Sequence, residues 1–205
     1  MKSTLKSLLC DKFWYWDSND ESWIEFKTNG TGNLFARREF CMFIAAEFDW
    51  KAQNPEILDS EIDTRSSPVC QCEIEISLTN RYSPFFSPFK KNKPVVVDKK
   101  QGNAAVNSLR LSDDAFTSRK FAIRIEKGEF ITGEDKKLGL STSAAANFAY
   151  RLVFDSSPYP PQNMWKEDTS GDPLGKLRIW EWNEFCAQRE PRSSWAWKIF
   201  GRFFG

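Results

Sequence analysis

Apolar and polar positions alternate with period two along most of the chain, and such runs predict strands. Phe13-Trp-Tyr-Trp16 reads as a first aromatic strand, and Trp23-Ile-Glu-Phe-Lys27 as a second, with Ile24 and Phe26 on one face. Asn29-Gly-Thr-Gly32 follows, residue types that tolerate positive φ and so predict a hairpin into a strand beginning at Leu34. Over 40–50, Phe40, Met42, Ile44, Ala46, Phe48 and Trp50 share one face, opposite Cys41, Phe43, Ala45, Glu47 and Asp49. Alternation of that length predicts a strand half-buried along its whole run, with a helix the competing reading over 40–47.

The pattern resumes over 69–79, where Cys70, Cys72, Ile74, Ile76 and Leu78 face one way, with Glu73 and Glu75 opposite. Phe121, Ile123 and Ile125 mark a further strand, and Phe148, Tyr150, Leu152 and Phe154 the next. The run over 176–186 reads as the last strand, with Trp180 and Trp182 on one face and Leu177, Ile179 and Glu181 on the other. Helical periodicity is confined to a short N-terminal segment, 3–10. About eight to ten strands without regular intervening helices predict an all-β fold, an antiparallel up-and-down barrel with a β-sandwich as the alternative. The expected core barrel runs over about 13–186 of a single domain, with irregular loops at 53–68, 81–107 and 133–146 and an aromatic tail at 193–205.

Composition sharpens this picture in three ways. First, 18 Phe and 9 Trp in 205 residues supply rings that each bury roughly 150–250 Å², so the core is bulky or some rings line a cavity. Second, 29 basic and 28 acidic residues leave a formal charge of +1 and no global field to steer the chain to nucleic acid. Third, histidine is absent, which removes Ser-His-Asp triads, Cys-His pairs, histidine metal sites and imidazole proton transfer. The five cysteines give an odd number without paired zinc-ligand spacing; they predict reduced, buried thiols, a cytoplasmic setting and no metal site. The N-terminus lacks the apolar run of a signal peptide, and no stretch approaches the ~20 apolar residues of a membrane span.

The opening of the chain resembles lipocalin-like (calycin) barrels over residues 14–50. The resemblance rests on an N-terminal Trp strand, the Phe26-Lys-Thr-Asn-Gly-Thr-Gly32 hairpin and the aromatic strand end Phe48-Asp-Trp50. Lys12 stands where those barrels carry the glycine of their G-x-W signature. The resemblance implies a pocket for a small hydrophobic molecule. It also implies a second reading, since some such barrels are cofactor-free cyclases, pericyclases among them, or isomerases of secondary metabolism.

Candidate sites follow. Trp14, Trp16, Phe26, Phe40, Met42, Phe48, Trp50, Phe121 and Phe154 are expected to line the pocket, as apolar walls with few polar groups suit small ligands. Glu181 and Arg38 are expected to point inward as a pair, and Tyr150 to donate a hydrogen bond; these three are the candidate catalytic residues of a metal-free, cofactor-free cyclase or isomerase. The lysine-rich loop 90–100 carries five lysines against one aspartate and reads as solvated, since no nucleic-acid motif accompanies it. The tail 193–205 sets six large apolar residues among two cations, a composition suited to a membrane interface. It suits docking on the barrel or on a second subunit, in a homodimer, better, because exposed apolar patches are usually covered. A third reading is a protein-interaction module that recruits a partner through this tail and the Pro/Phe loop over 83–89.

Overall fold

A computed structural model describes residues 4–38, 41–63, 66, 68–81, 107, 109–166 and 177–190. Eight antiparallel strands follow one another in chain order and close into a ring: β1 (Lys12–Tyr15), β2 (Ser22–Phe26), β3 (Thr31–Arg38), β4 (Cys41–Ala52), β5 (Cys70–Thr79), β6 (Arg119–Phe130), β7 (Phe148–Phe154) and β8 (Glu184–Arg189). Closure decides for the barrel over the sandwich. The helices are short: α1 (Leu5–Leu9), α2 (Glu56–Asp59) and α3 (Gly133–Lys137). Among the described residues, no helix is long and apolar enough to cross a membrane.

The β2–β3 hairpin forms where the glycines predict it. Gly30 takes φ +83, which a side chain disfavours, and Asn29 Oδ1 accepts from the Thr31 amide at 3.0 Å. Gly32 serves a different need. A Cβ there would lie 2.2 Å from the Phe48 ring and 2.4 Å from the Glu25 carbonyl, so its bare backbone lets β3 pass under that ring.

Alternation also delivers the inner wall. Trp14, Ile24, Phe26, Ile44, Ala46, Phe48, Ile74, Ile125, Leu152 and Phe185 are all at 0% exposure. These side chains are closed off from solvent by their neighbours. Phe26 meets Phe48 and Trp50 edge to face at 5.4 and 5.2 Å, an arrangement that suits ring quadrupoles.

Helix α1 packs at the end where β1 begins and β2 finishes. Thr4 caps it reciprocally with Ser7, and Leu5, Leu8 and Leu9 bury against the barrel. The Trp14 indole donates to the Leu9 carbonyl at 2.9 Å and fixes the helix on the strand.

Three local expectations are corrected. The run over 176–186 is mostly not strand: Arg178 takes a left-handed φ of 50°, Ile179–Glu181 forms a 3₁₀ turn, and β8 starts only at Glu184. In β4, the register to β3 jumps from Ile44 opposite Ala36 to Met42 opposite Arg37. Phe43 is therefore an extra, bulged residue, and the strand's faces exchange there. Met42 consequently packs outside with Trp23, Phe35 and Ala45, while Phe43 joins the main core. Finally, the polar loop expected over 133–146 contains α3.

Candidate functional site

The two longest connections, 80–118 and 155–183, leave the barrel at the same end, opposite α1. From the second of these, Ser157-Pro-Tyr-Pro-Pro161 folds inward as an arm. The prolines stiffen it, and Tyr159 reaches full burial at 0% exposure. Its hydroxyl donates to the Phe35 carbonyl of β3 at 2.9 Å. Its ring lies 5.7 Å from Trp182 and 6.3 Å from Phe185. Burial, and to a smaller degree the charge of Asp17, hold the phenol far above its ordinary pKa, so it stays a neutral donor.

The arm is tied at its backbone. Arg119, the first residue of β6, donates to the Pro158 and Tyr159 carbonyls at 2.6 and 3.0 Å, and its guanidinium sits 5.1 Å over the Phe121 ring. Burial alone lowers Arg119 to about 10, and it remains a cation at neutral pH. Ser157 Oγ lies 2.8 Å from the Trp182 carbonyl, and the Trp165 indole donates to the Pro160 carbonyl at 2.8 Å.

Trp16 stacks on Trp182 with centroids 3.5 Å apart and planes 7° off parallel. Phe154 stands edge to face with both Phe121 and Phe185, at 5.8 Å in each case. An aromatic box of Trp16, Phe121, Phe154, Tyr159, Trp182 and Phe185 thus gathers at this end of the barrel.

Acids gather at the rim. Asp17 is buried; it accepts from the Asn19 and Glu21 amides at 2.9 and 3.0 Å. Burial raises its pKa; those two bonds oppose the shift and the charge of Glu134 adds to it. Glu134, on α3, receives Arg38 Nη1 at 2.7 Å. Asp135 of the same helix accepts from Thr132 Oγ1 at 2.8 Å and from Ser18 Oγ at 3.1 Å.

The structure thus brings together part of the expected set. Trp16, Phe121 and Phe154 meet at the arm. Trp14, Phe26, Phe48 and Trp50 are core residues nearer α1, and Met42 lies outside. Phe40, the loop 90–100, the Pro/Phe segment 83–89 and the tail 193–205 fall outside the described residues. The expected inward pair does not form, because Arg38 holds Glu134 while Glu181 is exposed and ion-paired with Arg178. Tyr150 is half-buried on β7, opposite Lys127 of β6 and Ala187 of β8. Sequence reasoning missed Asp17, Arg119, Glu134 and Tyr159. Only the Thr132-Gly-Glu-Asp135 start of α3 carried a local signal, a capping residue three positions before an acid.

A shallow concavity lies between β5, β6 and β7. It is a groove of about 150 Å³ lined by Gln71, Ala122, Arg124, Val153 and Asp155, below the ~300 Å³ at which ligand pockets usually begin. Comparison with protein-family models, with curated proteins and with solved structures finds no match.

Proposed function

We propose that the protein binds a small hydrophobic molecule at the loop-covered end of the barrel, in the manner of lipocalin-like barrels, with the Tyr159 arm as the element it displaces. One observation carries the reading. A wholly buried ring enters the lumen from a connection rather than from a strand, and closes an aromatic box the barrel itself supplies. The size of the ligand follows from what it replaces. Exposing a tyrosine of roughly 150–250 Å² costs about 4–6 kcal/mol at 25 cal/mol/Å². A single ring only regains that area, so net affinity requires a larger ligand, polycyclic or isoprenoid. The Trp16–Trp182 stack reports its arrival. Titration with such compounds is expected to quench tryptophan fluorescence saturably, and native mass spectrometry to find one molecule per chain. Absence of both across a broad panel defeats the proposal.

A cofactor-free cyclase or isomerase acting in the same space is the second reading, and Asp17 favours it. A carboxyl that keeps its proton above the usual range suits general acid chemistry. In that reading Arg38 holds Glu134 rather than touching substrate. Turnover lost in Asp17→Asn with ligand binding retained selects the enzyme over the binder.

A further inference from the structure

β5 opens with Cys70-Gln-Cys72, at the α1 end of the barrel and away from the aromatic box. The ladder to β6 is regular here: Cys70 pairs with Ile125 and Cys72 with Ile123, without a register shift. Side chains two apart on an unbroken strand share a face. Both thiols accordingly look toward the core, Cys72 inside the main cluster and Cys70 half-buried against it.

Strand geometry separates their Cα atoms by about 6.6 Å, two rises of roughly 3.3 Å. Side chains two apart on one face stand nearly parallel, so their Cβ atoms lie about as far apart, whereas a disulfide needs Cβ atoms about 3.5–4.5 Å apart. An S–S bond would therefore need the strand to bend. A single metal ion between the sulfurs would not, because two metal–thiolate bonds of about 2.3 Å each span ~4.5 Å. Among the described residues, no group of three or more cysteines and carboxylates is placed to hold a metal, so four-coordinate zinc is not served. Soft thiolates without nitrogen or oxygen partners select copper(I), which is stable with two ligands in line.

We propose that Cys70 and Cys72 form a two-coordinate copper(I) site, entered from the half-exposed Cys70 side. Binding forms two Cu–S bonds, and two thiols release two protons to solvent with no change in oxidation state.

The test is an anaerobic titration of the reduced full-length chain with copper(I) against bicinchoninate. The wild type is expected to withdraw one equivalent from the competitor. Cys70→Ser, Cys70→Ala and Cys72→Ser are each expected to withdraw none while keeping the wild-type circular dichroism, and Cys41→Ser to behave as wild type. If Cys72→Ser fails to fold, the two Cys70 variants decide. Failure of the wild type to compete overturns the proposal. So does copper kept by the Cys70 variants, or uptake that follows the total number of thiols, which would mark adventitious binding.

Discussion

Truncating Tyr159 separates a filled barrel from a merely crowded one. The side chain is at 0% exposure, packs on Trp182 and Phe185, and donates one hydrogen bond to a strand carbonyl. Removing a buried aromatic ring typically costs 3–5 kcal/mol, transfer and residual cavity together. Tyr159→Phe keeps the ring and loses the hydroxyl bond, a cost of about 1 kcal/mol. The two variants should therefore separate by roughly 3 kcal/mol. With a urea slope of about 2 kcal/mol/M, Tyr159→Ala lowers the unfolding midpoint by about 2 M and Tyr159→Phe by about 0.5 M. Apolar cavities of this origin take up matching ligands. p-Cresol at 100 times its Kd should return about 2.7 kcal/mol to Tyr159→Ala and nothing to Tyr159→Phe. Equilibrium urea unfolding followed by far-UV circular dichroism, with and without cresol, measures both effects. A Tyr159→Ala midpoint within about 0.5 M of wild type means the ring fills nothing the fold needs, and the arm reasoning fails.

Gly32→Ala sets a methyl group against both the Phe48 ring and the Glu25 carbonyl, and backbone cannot step aside as a side chain can. It is expected to lower stability by at least 1–3 kcal/mol in thermal unfolding, and a Tm unchanged from wild type contradicts the close approach. Asp17 carries a pH signature. Its folded pKa lies above the unfolded value of about 3.9, so the folded state binds the extra proton and stability falls as pH rises between those two values. Asp17→Asn removes that slope. Urea midpoints between pH 3.5 and 6 should show the variant gaining on wild type as pH rises, and a constant or shrinking difference refutes the burial argument.

Seven of the eight strands were legible because each is written locally, in an alternation, an aromatic run or, for β3, the glycine turn before it, and none of these needs a distant partner. The exceptions have physical causes. The 176–186 run alternates over as many positions as the 40–50 run, so its pattern gives no warning, and the left-handed residue that redirects it is Arg178, which carries no glycine or asparagine signal. The bulge at Phe43 adds one residue without a marker, yet it sends Met42 to the outer surface. The site was less legible than the fold. The described rings of the expected set are buried in the core, but Arg38 and Glu134 are 96 residues apart, and Tyr159 and Phe35 are 124 apart. Contacts over such separations are decided by barrel closure, and periodicity does not record them.

Closure itself depends on the residue that bounds the candidate site. β1 and β8 share one register pair, Tyr15 with Cys186, whereas β1 and β2 share four and β7 and β8 share five. Segment 131–137 straps the thin joint. The Glu134 amide donates to the Trp16 carbonyl at 3.2 Å, the Cys186 thiol donates to the Ile131 carbonyl at 3.4 Å, and Lys136 pairs with Glu184. The ion pairs of the strap contribute little, since Arg38 and Lys136 are 48% and 38% exposed and such pairs are worth about 0–1 kcal/mol. Packing on Trp16 matters more. A Cβ at Gly133 would lie 2.6 Å from its indole nitrogen, and Lys137 covers its ring at 5.3 Å. Trp16 is therefore held by the strap while its ring stacks on Trp182 of the arm's connection. A ligand that moves Trp182 must also move Trp16, and the strain then falls on the joint with the fewest hydrogen bonds to resist it. The proposed binding at the box is therefore expected to loosen the β1–β8 joint through this one indole. Amide exchange at Glu134 and Cys186 should change with occupancy of the box, while exchange in the eight-pair β3–β4 ladder should not.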